Sequence, residues 1–301
     1  MRHAHTHIPS RNACIYCGAT DLRLGDEHVV PYSLGGTLVL KEASCRKCED
    51  VTKKFEQQVA REMWGEPRIA YGAPTRRKRE RPRFLAMKSD DDQGPSVKVP
   101  ADEFPAGLIF YYMGKAGYLQ GLPEDMDISH QWTLKVSDDD GRRERFINKY
   151  KRNPVISFRH VPYDFGRLLA KIGYGHLLTA LETSDFTPIC LPYILGTKKN
   201  VSYIVGGTVE TEPPNDKIGY NLKTGVFGKM DHLVLVALVR LYANIHSPEY
   251  HVIVGEVLGE DAVNKVAKKL GVELPDILRQ NFQPSAQKPR LHWTPLPTAL
   301  R

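Results

Sequence analysis

The chain has 301 residues, 41% of them hydrophobic and 26% charged, with a net charge of +7. That composition is ordinary for a globular protein. No apolar run approaches the ~18 residues of a membrane span, and Met1–His7 lacks a signal peptide's apolar stretch, so a cytoplasmic location is expected. The basic balance points to a polyanionic partner without specifying which one. In chain order, His3, His5 and His7 fall in an N-terminus expected to be disordered. Leu24 to Val30 suits a short strand, Ser33-Leu34-Gly35-Gly36 a turn, and Thr37 to Leu40 a second strand. A helix is expected from about Ser44, a good N-cap. Its apolar positions Val51, Phe55, Val59 and Met63 share one face, and Gly65 and Pro67 should stop it.

The basic run Thr75 to Arg83 and the acidic run Ser89 to Pro95 read as a linker. The expected organisation is a module over 1–75, a basic linker over 76–100 and an α+β region over 101–301. In that region, Tyr163 to Leu181 suits a helix with a wide apolar face. Val201 to Val209, Leu233 to Tyr242 and Tyr250 to Leu258 suit strands, the last two joined as a hairpin. Asp261 to Leu270 suits a short helix ending at Gly271. Asp138-Asp139-Asp140 before Gly141 reads as a turn, and the proline-containing tail from Pro275 as irregular. Cys190 is expected in the core. Lys171 and His176 are assigned surface or core roles. No internal repeat is visible.

The cysteines carry the strongest chemical signal. Four of the five form two C-x-x-C pairs, Cys14/Cys17 and Cys45/Cys48. In a cytoplasmic protein this spacing means a metal rather than disulfides. Four thiolates satisfy a tetrahedral Zn2+ in a closed, structural site. The 27 residues between Cys17 and Cys45 leave room for a β-hairpin between the two pairs.

Inside that frame stands Gly25-Asp26-Glu27-His28-Val29-Val30-Pro31, followed by the Gly35-Gly36 turn. Acid–His–apolar–apolar–Pro, a Gly-Gly turn, a strand and a C-x-x-C together resemble the HNH endonuclease family over residues 12 to 63. The resemblance implies a treble-clef-like ββα-metal fold braced by zinc. It also implies His28 as general base on a water, and Glu27 as ligand of a catalytic Mg2+ or Mn2+ acting on DNA. Many relatives carry Asn at the start of the second strand; here Thr37 stands there and its hydroxyl could brace the loop. Many also carry His or Asn just after the second C-x-x-C; here Glu49 and Asp50 follow, both hard ligands suited to Mg2+ or Mn2+. Neighbours on a strand face opposite ways, so Glu27 and His28 can share one phosphate only if the backbone is irregular at 26–28. Arg76, Arg77, Lys78 and Arg79 are candidate phosphate contacts. A homodimer is left open. The alternative is a zinc-containing DNA-binding or adaptor protein with a degenerate module. The segments Leu169-Ala170-Lys171-Ile172-Gly173-Tyr174 and Val239-Arg240-Leu241-Tyr242 are similar to the region that follows the module in certain bacterial HNH proteins. Mobile-element and phage-defence settings fit the pattern equally.

Overall fold

A computed structural model describes residues 5–74, 79, 81–89, 96–105, 107–137, 141–155, 157–208, 212–214, 219–272 and 292–293. The architecture is α+β. The module opens with β1 (Thr6–Ile8) and β2 (Leu24–His28), which flank β3 (Leu38–Cys45), β1 in parallel and β2 antiparallel. His5 and His7 therefore belong to an ordered edge rather than a disordered terminus, because β3 offers an unpaired side that the first residues fill. Between β2 and β3, Tyr32–Leu34 make one 3-10 turn closed by Gly35 at φ 91°. A Cβ on Gly36 would lie 1.7 Å from the Val30 carbonyl oxygen, so the Gly-Gly pair is required by backbone approach as well as by turn conformation.

The strand β3 runs past the expected Leu40 to Cys45, and Cys45 rather than Ser44 is the N-cap of α1 (Arg46–Gln58). Ser44 directs its hydroxyl to the Cys45 carbonyl instead of capping, while the Cys45 N–H donates to the Cys14 sulfur at 3.4 Å. The cysteine knuckle thus sets where the helix begins. After Gln58 the helix widens into a π-type turn over Val59–Met63, then swings at Trp64 into α2 (Gly65–Ala70). Gly65 redirects the helix rather than ending it. Pro67 sits in the new first turn, where its missing N–H costs little.

Strands β4 (Phe84–Ser89) and β5 (Val97–Pro100) occupy the segment expected as a linker. Flanking charges hide their short alternation, which turns Leu85, Met87 and Val99 inward against Phe104 and Phe146 in a small separate core. Next come the hairpin β6 (Leu108–Tyr112) and β7 (Thr133–Ser137), with α3 (Gly117–Gln120) between them. Then α4 (Arg142–Tyr150) leads to β8 (Pro154–Val155), which pairs with β4.

The centre of the molecule is α5 (Pro162–Leu177). From Phe165 to Leu177 every residue except Arg167 is buried, as in a helix surrounded on all sides. After β9 (Thr187–Pro188) and α6 (Leu191–Leu195), the chain builds an antiparallel sheet. It consists of β10 (Val205–Gly207), β11 (Tyr220–Lys229), β12 (His232–Leu241) and β13 (Tyr250–Leu258), followed by α7 (Glu260–Leu270) and β14 (His292–Trp293). The order is β10-β13-β12-β11-β14, with β9 on β13. The strand expected over Val201 to Val209 is shorter, because Val201–Tyr203 form a 3-10 turn first. Helix α5 packs on β12 and β13, and α1 packs on α5. One continuous apolar core therefore runs from Ile15, Val29 and Phe55 of the module through Leu168 and Ile172 to Val236 and Val252 of the sheet. Apart from β14, the tail after 272 lies outside the described residues, as do 138–140.

Candidate active site

The four cysteines meet at one corner of the module. Cys14 and Cys17 lie in the knuckle before β2, Cys45 ends β3 and Cys48 stands in the first turn of α1. Their sulfur atoms all lie within 4.8 Å of one another, and Cys17 and Cys45 are 3.7 Å apart. A tetrahedron of sulfurs around Zn2+ has edges of about 3.8 Å, given Zn–S bonds near 2.3 Å. The donor set, spacing and helix N-terminus fit zinc. Among the described residues this is the one group of three or more His, Cys, Asp or Glu whose ligand atoms converge.

A second arrangement occupies the side where β2 meets α1. The β2–β3 ladder shifts register between Gly25 and Glu27, so that Lys41, Glu42 and Ala43 oppose Asp26 alone. Glu42 takes φ 45°, and its N–H donates to the Asp26 carboxylate at 3.1 Å, which also holds Lys41 at 2.5 Å. The irregularity expected at 26–28 lies instead on the partner strand β3, while Leu24–His28 continues as strand. Beyond it, Glu27 and His28 both line a cleft of about 650 Å³, with Glu49, Thr52, Lys53 and Glu56 of α1 on the opposite wall. The His28 ring lies 5.8 Å from that of Tyr32 and 5.6 Å from that of His5, centroid to centroid.

Two groups that sequence reasoning did not place there join the site, Glu56 in the wall of the cleft and Lys171 buried behind it. Glu56 lies two helical turns after Glu49 on one face, a spacing visible once the helix start is known. Lys171, expected in a surface or core role, comes from α5 and is 1% exposed. Its ammonium lies 2.7 Å from Glu27 Oε1 and 2.9 Å from Glu56 Oε1, and donates to the His28 carbonyl. Burial opposes the ammonium's charge, but the two carboxylates outweigh it and hold Lys171 protonated above the usual lysine range. Burial pushes the Glu27 carboxyl upward; Lys171 opposes this, while Glu56 and Glu49 reinforce it. One ammonium thus serves two carboxylates.

The remaining predicted residues are distributed unevenly. Glu49 faces the cleft but is tied by ion pairs to Lys53 and, at 3.6 Å, to Arg46. Asp50 pairs with Arg46 at 3.2 Å and is not among the cleft residues. Thr37 stands away from the cleft, its hydroxyl 2.8 Å from the Tyr220 hydroxyl of β11. Arg79 is exposed, and Arg76, Arg77 and Lys78 lie outside the described residues. A neighbouring cleft of about 1000 Å³ shares Gly25, Asp26 and Glu49 with the first and carries Arg23, Lys41 and Arg46. No helix among the described residues is long and apolar enough to cross a membrane.

Compared with known families, residues 14–64 match the model described as HNH endonuclease. No curated protein and no solved structure matches the chain.

Proposed function

Residues 14–64 form an HNH endonuclease-family module, and from that premise we propose that the chain is a metal-dependent endonuclease hydrolysing phosphodiester bonds in DNA. The observation that carries this reading is the cleft in which the end of β2, just past the point where β3 bulges against Asp26, presents Glu27 and His28 opposite Glu49 and Glu56 of α1. His28 is the general base: a neutral imidazole lining an open cleft can take a proton from an attacking water near pH 7. Glu27, Glu49 and Glu56 supply hard oxygen donors of the kind Mg2+ or Mn2+ prefers. When bound, that ion would neutralise charge on the scissile phosphate. The carboxylates repel one another, and each is already compensated by a cation, Lys171 or Lys53. That accounts for their not converging as the cysteines do. Arg23, Lys41 and Arg46 on one side, and Lys53, Arg61 and Arg68 on the other, set cations able to meet phosphates among an equal number of carboxylates in the two adjoining clefts.

A DNA-binding protein without cleavage is the second reading. It draws support from Asp50, which turns to Arg46 rather than to the cleft. Supercoiled plasmid incubated with Mg2+ or Mn2+ separates the two. Nicking or linearisation by wild type, lost in His28→Ala, is expected. Retarded DNA with no cleavage under either ion would leave only the binding reading.

A further inference from the structure

We propose that Lys171 is a positioning residue of this cleft, and that the site is complete only when α5 delivers its ammonium between Glu27, Glu56 and the His28 carbonyl. The inference rests on the nuclease reading above and extends it to a residue outside the family-matched segment. Lys171 lies 143 residues from His28 along the chain. Its neighbours one turn away on the same face are Arg167, Leu168, Tyr174 and Gly175, all buried except Arg167. Burying an ammonium is costly unless it is paired and hydrogen-bonded. A purely structural pair needs one carboxylate. Lys171 has two, and both line the cleft.

Two consequences follow from the geometry. The hydrogen bond to the His28 carbonyl anchors the end of β2 just past the β3 bulge, so the direction of the imidazole depends on α5. The ammonium also lowers the negative charge that Glu27 and Glu56 present to a cation. Removing it should therefore strengthen cation binding while weakening catalysis, a combination that general structural damage does not produce.

The test uses the full-length, zinc-loaded chain with Lys171→Met, Lys171→Arg, Glu56→Gln and the double variant Lys171→Met/Glu56→Gln. Mn2+ affinity is read by calorimetry, kcat on duplex DNA, and folding by thermal melts. In Lys171→Met, Mn2+ should bind ~10-fold tighter or more from the lost like-charge repulsion. Its kcat at saturating metal should fall ~10-fold or more from the misplaced base. Lys171→Arg, which keeps the charge and the donors, should hold Mn2+ affinity near wild type and recover part of kcat. The double variant restores the cluster's net charge and carries the test if Lys171→Met does not fold; it should cleave at least ~10-fold more slowly than Glu56→Gln alone. Unchanged or weaker Mn2+ binding in folded Lys171→Met, or a double variant as fast as Glu56→Gln, overturns the proposal. Wild type that cleaves while Lys171→Met matches it sinks Lys171 alone. Wild type that cleaves nothing sinks the nuclease reading, and the Mn2+ comparison still decides the effect of Lys171 on the carboxylates.

Discussion

The module holds two clusters of ligand-type side chains built on opposite plans. The cysteine corner is self-contained: all four sulfurs come from residues 14–48 and already lie within 4.8 Å of one another. The carboxylate cleft draws on β2, α1 and a lysine from α5, and its acids are paired with cations. A structural metal site can be assembled from a short segment, because soft ligands and a closed tetrahedron need only the right spacing. The cleft is open, and a residue from outside the module, Lys171, pairs with its acids and with the His28 carbonyl.

The largest effect should come from the self-contained corner. Cys45→Ser, or stripping zinc with a chelator, should remove the single zinc per chain and unfold residues 14–64, an energy on the order of 10 kcal/mol. Metal analysis with thermal melting checks this; an unchanged melt after complete zinc loss would show the corner to be dispensable. The cleft should behave differently. His28→Ala should lower cleavage ~100-fold or more while zinc content and melting temperature stay at wild-type values. Loss of zinc in that variant would mean that the two clusters are not separable.

A pH titration probes the scaffold that joins them. His176 on α5 and His251 on β13 are both buried, and burial lowers each to about 4. His176 meets Thr224 at 3.1 Å, and His251 accepts the Ala116 N–H at 3.0 Å. Both imidazoles are neutral in the fold but protonate near their ordinary 6.5 once unfolded. Stability is therefore full above pH 6.5 and declines as pH falls towards 4, by up to roughly 3 kcal/mol per histidine. Denaturant melts between pH 7 and 4 should show the decline, and His176→Gln should flatten part of it.

The smallest effect belongs to a single clasp between the module and α5. The Tyr174 hydroxyl donates to the Ile15 carbonyl at 2.6 Å. Tyr174→Phe should cost about 1 kcal/mol and leave zinc bound. A cost several times larger would indicate that the knuckle cannot keep its shape without α5.

Much of the module was legible along the chain. The C-x-x-C spacing located the metal corner, Gly35-Gly36 marked the turn, and acid–His–Pro marked the strand end that faces the cleft. The hairpin of β12 and β13 and the helix α7 followed from apolar patterning. Elements bounded by charge or glycine were harder to see. The pair β4 and β5 was hidden between basic and acidic runs, and β1 has no pattern of its own because its reason for being a strand is the open side of β3. Ser44 looked like a helix cap and is a strand residue, its hydroxyl turned to the Cys45 carbonyl while the Cys45 N–H is held by the Cys14 sulfur.

Local order alone was enough to specify the cysteine corner, the turn and the presence of an acid–His pair, because ligand spacing, backbone sterics and side-chain chemistry act over a few residues. It could not specify which carboxylates share the cleft with that pair. Helix phase turned Glu56 towards Lys171 and Asp50 towards Arg46. Nor could it place Lys171, whose role depends on α5 being enclosed by sheet and module together. Electrostatics inside a fold acts through space, and the partner of Glu27 is set by packing between elements far apart in the chain.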